Sequence, residues 1–272
     1  MYRFAFWYRS LHVKNLQACL IFLRKNHILS NFNSVKMKII AWNCNMAYRK
    51  KAAAVLAHQP DIVVVPECEC PDKLIFGVDT RQPTDMLWFG KNRNKGLGIF
   101  SYSNWRFNVL KEHKEKFRMI VPIEVSNEIE KFLLFAIWAN NPDDKDGQYV
   151  TQVWKAINHY KKLFTDMPVI LAGDFNSNTI WDRPRRIGNH TDVVNFLKKR
   201  NIHSAYHAHH QMAHGKEAHP THYLYRHLDK PYHLDYCFVS SPWFERISEV
   251  EIGSHKDWAM YSDHVPVMVT IV

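Results

Sequence analysis

Short polar clusters beside apolar runs contain the residues of this chain that are best suited to chemistry. The motif GDFN at 173–176 follows the apolar run 168–172, and the motif SDH at 262–264 precedes the apolar run 265–272. Packed α/β proteins place reactive side chains at the ends of buried strands. The aspartates, asparagine and histidine of these motifs form an oxygen-rich set, which suits a hard divalent cation and an anionic substrate.

Three further clusters have the same placement. WNCN at 42–45 ends one predicted strand, PECE at 66–69 ends the next, and YHLDY at 232–236 opens a later one. A single Asn or Asp at a strand end is usually a turn former or a helix cap, but several such clusters are harder to explain in that way. If the sheets pack with these ends together, one rim of the fold collects Asn43, Glu67, Asp174, Asn176, Asp235, Asp263 and His264.

Apolar and β-branched runs predict the strands that position these clusters. Continuous runs, typical of strands buried on both faces, lie at 38–42, 61–65, 132–138 and 168–172. The remaining predicted strands are 97–100, 106–110, 119–125, 234–239 and 265–272. Helical patterns cover 47–58, 149–164 and 189–199. Hairpin-length links and helical crossovers together predict a mixed α/β sheet system, with residues 37–272 forming a single domain.

The charge and cysteine content limit the possible partners and surroundings of the chain. A formal net charge of +10 favours nucleic acid, phosphorylated ligands or an anionic membrane surface, although a basic surface can also serve solubility alone. No apolar run approaches the roughly 20 residues of a membrane-spanning helix. The five cysteines show no metal-ligand or redox spacing, which indicates reduced thiols in an intracellular, cytoplasmic protein. We further expect a monomer.

Residues 1–36 differ from the rest of the chain. They contain several Lys and Arg but no acidic residue, and the first acidic residue of the sequence is Asp61. A basic, acid-free extension of this kind is typical of an organelle-targeting leader. We favour a different origin, an upstream start codon with the protein beginning at Met37, because the compact pattern begins at Lys38.

Histidine is concentrated in the segment from His203 to His233. One interpretation is a transition-metal site, or a loop beside the active site that contacts phosphate. The other is a polar surface loop of biased composition, and the sequence by itself favours this plainer interpretation.

The motifs also carry a resemblance. In order along the chain, WNCN, PECE, GLGIFS, GDFNSN, HLDYCFVS and SDHVPV resemble the endonuclease/exonuclease/phosphatase superfamily, with the exonuclease III-like and abasic-site endonuclease-like branches nearest. The resemblance covers residues 37–272. It implies a four-layer α/β sandwich, in which two mixed β-sheets pack face to face with helices outside.

The resemblance further implies a metal site that holds Mg²⁺, with Mn²⁺ as the alternative. Glu67 matches the principal metal-binding carboxylate of the family. Asn43 matches the residue that helps to place the metal and the phosphate, with Asn45 beside it. Asp263 matches a carboxylate that assists the metal or orients a histidine. Magnesium needs only one or two protein carboxylates besides water and substrate oxygens, so this sparse set is adequate.

Four other motif residues match the family's catalytic positions. Asp174 matches the residue that orients or deprotonates the attacking water, and Asn176 matches the amide that holds the scissile phosphate. His264 matches a histidine that contacts a phosphate oxygen. Asp235 matches a carboxylate with a supporting role.

Substrate contacts are predicted from the resemblance and from the basic loops. Where nucleases of the family have Tyr or His after the central strand, this chain has Trp138, whose indole cannot give a proton to a leaving group. Basic and aromatic residues beside catalytic segments suit backbone contact and base stacking, although ordinary surface charge is an equal alternative. The predicted substrate-binding residues are Asn45, Trp138, Asn141, Arg183 and Thr221.

These observations together predict a metal-dependent phosphodiester hydrolase, most simply an endonuclease or exonuclease acting on DNA or RNA. A phosphatase or phosphodiesterase of the same fold, acting on a small or lipid-linked phosphate, is the alternative. A catalytically weak nucleic-acid-binding protein is a third possibility, but the near-complete set of Asn, Glu, Asp and His residues argues against it.

Overall fold

The computed structural model describes residues 36–272 except 118, 141–148 and 166. Two predictions fall outside these ranges: the separate character of the extension 1–36, of which only Lys36 is described, and the substrate contact of Asn141. Both stay predictions. Residues Lys36–Val272 form one compact unit.

Strands make up most of the regular structure. In chain order they are β1 (Met37–Ala41), β2 (Ile62–Cys68), β3 (Asp85–Asn92), β4 (Lys95–Ser101), β5 (Arg106–Val109), β6 (Ile120–Ser126), β7 (Lys131–Trp138), β8 (Val169–Asp174), β9 (Ile202–Ser204), β10 (His222–Tyr223), β11 (Pro231–Tyr232), β12 (Asp235–Ser240), β13 (Ile247–Ile252) and β14 (Val267–Ile271). The α-helices are α1 (Ala52–Leu56), α2 (Val150–His159), α3 (His190–Lys198), α4 (Ala205–His209) and α5 (His255–Trp258).

The first sheet has the strand order β13-β14-β1-β2-β4-β3. At its centre β1 runs parallel to β2, with Ile40 beside Val63. On the other side β1 is antiparallel to β14, with Ile40 beside Met268. Two strands that are distant in sequence therefore lie next to each other in the middle of this sheet.

The second sheet has the strand order β5-β6-β7-β8-β12-β9. β7 and β8 are parallel, with Trp138 beside Asp174. β8 and β12 are antiparallel, and Asp174 is also the partner of Asp235 in this pair. The two short strands β10 and β11 form a separate ribbon.

Apolar layers hold the sheets and helices together. On the outer face of the second sheet, Val153 of α2 and Phe196 of α3 pack with Phe135 of β7. On the outer face of the first sheet, Val55 of α1 packs in the same cluster as Val63 of β2. Because successive strand residues face opposite sides, the alternate positions fill the layer between the sheets. Buried residues of this kind are Ile39, Ile62, Val64, Leu134 and Ile170.

The predicted fold class, a four-layer α/β sandwich of two mixed sheets with helices outside, is confirmed by this arrangement. The sequence analysis missed the sheet-edge strands β3, β9 and β13. An edge strand such as β13 buries few of its residues and so has no continuous apolar run. The predicted helix 47–58 is shorter than expected, because Ala47 has a left-handed φ of 53° and only Ala52–Leu56 is α-helical.

Two further expectations concern the membrane and the thiols. Within the described ranges, no helix combines the length and the apolar character needed to cross a membrane. Cys44, Cys68, Cys70 and Cys237 are buried free thiols, as the sequence analysis predicted for the cysteines.

Candidate active site

The ends of the central strands bring the predicted catalytic residues together. Asn43 follows β1, Glu67 lies near the end of β2, Asp174 is the last residue of β8, and Asp235 is the first residue of β12. β1 and β8 come from different sheets and lie against each other in the sandwich. We call the set formed by Asn43, Asp174, Asn176, Asp235, Asp263 and His264 the rim cluster.

Asp174 is the fully buried centre of the rim cluster. Its Oδ2 atom accepts hydrogen bonds from Nδ2 of Asn43 at 3.0 Å and from Nδ2 of Asn176 at 2.9 Å. Its Oδ1 atom accepts one from the backbone N–H of Asn176 at 2.8 Å. Burial and the nearby Asp235 carboxylate raise the pKa of Asp174 to about 7, although His264 and these hydrogen bonds act in the opposite direction.

The local backbone of GDFN explains how Asn176 donates two hydrogen bonds to Asp174. Asn176 has a φ of 45°, a left-handed conformation that Asn adopts more readily than most residues, and the turn brings both its amides back to Asp174. Gly173 has a φ of 138°, and a Cβ atom there would lie 1.9 Å from the carbonyl oxygen of Ile137. Only glycine therefore allows β7 and β8 to approach this closely.

His264 and Asp235 form a buried ion pair. Nδ1 of His264 lies 2.8 Å from Oδ2 of Asp235. Burial by itself lowers the pKa of an imidazole, but the Asp235 carboxylate and its hydrogen bond outweigh burial and raise the pKa of His264 to about 10. A protonated imidazole with Nδ1 engaged keeps Nε2 as its remaining donor.

Asp263 is fixed by the loop after β1. Nδ2 of Asn45 donates to Oδ1 of Asp263 at 3.0 Å, and the backbone N–H of Asn45 donates to Oδ1 of Asn43 at 3.1 Å. Nε2 of His222 lies 3.8 Å from the other Asp263 oxygen. Burial raises the pKa of Asp263, but His222 and His264 outweigh burial, and the net pKa lies below its usual range.

Glu67 lies in a β-bulge near the end of β2. In the pairing of β2 with β4, Pro66 lies opposite Leu97 and Cys68 lies opposite Gly96, so Glu67 is the extra residue. It has a φ of 59°. A bulge next to an active site redirects a side chain that the regular alternation would send elsewhere.

The surroundings of Glu67 fit a hard cation. Among the described residues its carboxylate accepts no side-chain or backbone hydrogen bond, and its ion-pair partner there is Lys95, whose Nζ lies 3.9 Å from Oε2. Asn43 Oδ1 accepts only one hydrogen bond from the described chain and so retains a second lone pair. Carboxylate and amide oxygens of this kind are the ligands that Mg²⁺ prefers.

Potential ligand atoms of Asp174, Asp235 and His264 also lie within 4.8 Å of one another. We interpret this group as a hydrogen-bonded ionic cluster. Nδ1 of His264 is already engaged by Asp235, and a protonated imidazole has no lone pair for a metal. Oδ1 of Asp235 is nevertheless buried without a hydrogen-bond partner in the described ranges, which leaves one oxygen free beside the site.

Thr221 supports the backbone at the start of β12. The residue is fully buried, and its Oγ1 accepts hydrogen bonds from the backbone N–H groups of Leu234 and Asp235 at 2.8 and 3.0 Å. Its hydroxyl thereby holds the chain where Asp235 begins the strand. A contact of Thr221 with substrate stays a prediction.

The remaining predicted contacts differ in exposure. Trp138 is only 2% exposed, and Nζ of Lys95 lies 5.8 Å from the centre of its ring. Arg183 is exposed in the loop before α3. The sequence analysis did not identify Lys95 as a partner of Glu67 or His222 as a partner of Asp263. The signal for His222 was its position next to Thr221 in the segment before the Asp235 strand.

Comparison with known proteins adds a family match. The sequence model described as the Endonuclease/Exonuclease/phosphatase family matches residues 40–264. That range contains every member of the rim cluster. No curated protein matches the sequence of this chain.

Several solved structures share the fold. The 3′ phosphatase NExo (D146N) from Neisseria, bound to product DNA hairpin, is 18% identical with a TM-score of 0.60, covering 87% of this chain and 99% of its own. AP endonuclease LMAP from Leishmania major is 15% identical with a TM-score of 0.64, covering 89% and 90%. The endonuclease domain of TRAS1, a telomere-specific non-LTR retrotransposon, is 13% identical with a TM-score of 0.59, covering 87% and 98%. At these identities the likeness establishes the fold alone.

Proposed function

This chain belongs to the endonuclease/exonuclease/phosphatase family, and from that premise we propose that it is a metal-dependent phosphodiester hydrolase acting on nucleic acid. One observation carries the proposal above the others. A buried carboxylate, Asp174, is held by the neutral amides of Asn43 and Asn176 beside the charged pair His264–Asp235. This is the arrangement that water attack on an anionic ester requires.

The amides and the imidazole receive the phosphate. Asn43 uses one Nδ2 hydrogen for Asp174 and has a second for a phosphate oxygen. Asn176 can exchange its longer hydrogen bond, 3.3 Å to the carbonyl oxygen of Ala139, for the same purpose. His264 supplies a charged donor through Nε2. Donors that are already in place when charge develops on the phosphoryl oxygens lower the barrier most.

Asp174 accepts the proton of the attacking water. As the O–H bond breaks, the water oxygen bonds to phosphorus, and the bond from phosphorus to the leaving oxygen breaks on the opposite side. The leaving oxygen then takes a proton from solvent water, and Asp174 releases the proton it accepted to solvent, so the products are a phosphomonoester end and a hydroxyl end. The hydrogen bonds to Asp174 fix its position, so that little reorganisation accompanies the transfer.

The leaving oxygen needs compensation that Trp138 cannot give. Lys95 lies beside this position, with its ammonium 5.8 Å from the Trp138 ring and 3.9 Å from Glu67. We infer that Lys95 offsets the negative charge of the leaving oxygen. Trp138 stands where the resemblance expects a proton donor, and it thus has a positively charged neighbour, Lys95 on β4.

Glu67, Asn43 and Asp263 are the residues that would hold the divalent ion. When bound, the ion neutralises charge on the phosphate oxygens. Glu67 is available as a metal ligand because the bulge in β2 takes it out of the regular pairing with β4. Asp263 is held in place by the hydrogen bond from Asn45. Mg²⁺ or Mn²⁺ suits these oxygen donors.

Charge supports a nucleic acid as the substrate class. Exposed Arg183 lies close to GDFN in the chain, and a basic side chain there suits a polyanion. Of the net charge of +10, residues 1–36 contribute six charges and residues 37–272 contribute four. The titles of the structural relatives name a product DNA hairpin and an AP endonuclease, which agrees with this class.

The test is hydrolysis by purified protein with Mg²⁺ or Mn²⁺. The substrates are supercoiled DNA, an abasic duplex, single-stranded RNA, a 3′-phosphate oligonucleotide and small phosphate esters. We expect cleavage of a nucleic acid, and we expect Asp174→Asn to reduce kcat about 10²–10⁴-fold, the range for loss of a positioned base. Asp79→Asn is the matched control because Asp79 is exposed.

Two results would contradict the proposal. Full activity in Asp174→Asn, or in protein freed of divalent ions by chelation, would show that another mechanism operates. Turnover of small esters with none of the nucleic acids would reject the proposed substrate class while retaining the chemistry.

A further inference from the structure

A second cluster of ionisable residues includes two side chains of the loop that follows α4. We call the set His190, His207, His214, Glu217 and His233 the histidine cluster. Nε2 of His207 lies 2.9 Å from Oε1 of Glu217, and the rings of His207 and His214 stack with centroids 3.5 Å apart. Potential ligand atoms of His207, His214 and Glu217 all lie within 4.8 Å of one another.

Buried nitrogens without partners surround this group. His190 is fully buried and His233 is 3% exposed. Within the described parts of the chain, Nε2 of His190, Nε2 of His233 and Nδ1 of His214 have no hydrogen-bond partner. A buried polar atom left unpaired costs about 1–3 kcal/mol, so three of them near one carboxylate need an explanation.

In three of these histidines, the Nδ1 atom lies within hydrogen-bond distance of an oxygen atom. Nδ1 of His207 lies 2.7 Å from Oγ of Ser204, and Nδ1 of His190 lies 2.8 Å from Oγ of Ser177. Nδ1 of His233 lies 2.8 Å from the carbonyl oxygen of His219, to which it must donate. In a neutral His233 the lone pair is therefore on Nε2. Metal-binding histidines almost always have the non-ligating nitrogen fixed in this manner.

The group also contains the atom types that bind a cation. Glu217 supplies a carboxylate, and Nε2 of His190, Nε2 of His233 and Nδ1 of His214 have no hydrogen-bond partner within the described parts of the chain. A neutral imidazole has one nitrogen with a lone pair, which can ligate a metal.

We propose that the histidine cluster is a zinc site, with His207, His214 and Glu217 as ligands and Nε2 of His190 or His233 completing the shell. Imidazole nitrogen with one carboxylate oxygen suits Zn²⁺ better than the hard ions expected at the rim. His207 is buried and His214 and Glu217 are partly buried, which favours a structural site. It ties α4 to the loop 210–221 and, through the fourth ligand, to the start of α3 or to the chain just before β12.

The proposal is tested first on tag-free wild-type protein. We expect the protein to retain an equimolar amount of zinc through gel filtration, measured by elemental analysis. The metal-free protein should gain thermal stability on addition of Zn²⁺, and Co²⁺ should give the intense visible absorption of a tetrahedral site. Absence of zinc together with absence of a cobalt spectrum would overturn the proposal.

Variants then locate the ion. Glu217→Gln preserves the side-chain shape and should lower zinc affinity by at least about tenfold, and so should His214→Ala. Ser204→Ala leaves every ligand in place and should weaken binding less. His209→Ala is the matched control, because His209 is exposed in the same histidine-rich segment. Glu67→Gln, at the other candidate metal site, should leave the zinc content unchanged.

Two results in this series would also reject the site. Unchanged zinc affinity in both Glu217→Gln and His214→Ala would place the ion elsewhere. Equal loss in His209→Ala would show binding by the surface histidines. If His214→Ala fails to fold, the decision rests on Glu217→Gln and on the wild-type measurements, which need no substitution.

Discussion

The rim cluster and the histidine cluster are neighbours in the chain, since His233 and Asp235 are two residues apart. They differ in how their buried polar atoms are paired. In the rim cluster, Asp174 has hydrogen-bond donors on both oxygens and His264 is neutralised by Asp235. In the histidine cluster, several nitrogens have no partner within the described ranges. The first arrangement is largely complete within the protein, whereas the second requires an added cation.

This difference separates two kinds of site. A set held by its own hydrogen bonds can keep its geometry while substrate enters and leaves. A set with unused lone pairs is stabilised only when an ion fills it, and binding energy then becomes folding energy. We therefore expect variants in the two clusters to fail in different measurements.

The largest effect should come from the centre of the rim cluster. Asp174→Asn removes the proton acceptor and should lower kcat about 10²–10⁴-fold, while zinc content stays at the wild-type level. Steady-state kinetics and elemental analysis on the same preparation check both statements. Loss of zinc in this variant would mean that the clusters are not independent.

The next effect concerns the buried ion pair. His264→Gln should lower kcat about 10²–10³-fold, because it removes a charged donor to the phosphate. Asp235→Asn should have a similar effect through His264, so the double variant should be little worse than either single one. Rates that multiply in the double variant would show that the two residues act separately.

A smaller effect on catalysis is expected from the histidine cluster. Glu217→Gln should lower the melting temperature and the zinc affinity, by at least about tenfold for the latter. Its kcat at a temperature well below melting should stay much closer to wild type than that of Asp174→Asn. A loss of kcat as large as that of Asp174→Asn, at full folding, would place the histidine cluster in the reaction.

The smallest effect should arise where the two regions meet. Thr221→Val leaves the backbone N–H groups of Leu234 and Asp235 without their acceptor, which should cost about 1–3 kcal/mol of unfolding free energy. Denaturant titration measures the loss, and Thr165→Val, an exposed position, is the control. No loss in Thr221→Val would show that another group satisfies these donors.

The sequence predicts most of the rim cluster because its polar residues lie at the ends of central strands, and these strand ends share one edge of the fold. Once β1, β2, β8 and β12 were assigned, their terminal polar residues had to lie near one another. The pairing of Asp174 with Asp235 was not predictable in the same way. It depends on the register between β8 and β12, which are separated by some 60 residues of chain.

Other features needed coordinates for different physical reasons. Thr221 is predicted as a substrate contact because its motif lies at the rim, and only the direction of its side chain shows that it serves the backbone of β12. Composition likewise could not divide the histidines between 203 and 233 into buried and exposed ones. The plainer interpretation, a surface loop, holds for exposed His209 but is wrong for His207 and His233, which are buried.

The central position of β14 has a consequence for synthesis of the protein. β1 is made first among the described strands, yet it pairs on one side with β14, which a ribosome makes last among them. A growing chain that has not reached 262–264 lacks both His264 and the strand that completes the first sheet. Translation intermediates and prematurely terminated products should therefore lack the proposed hydrolase activity.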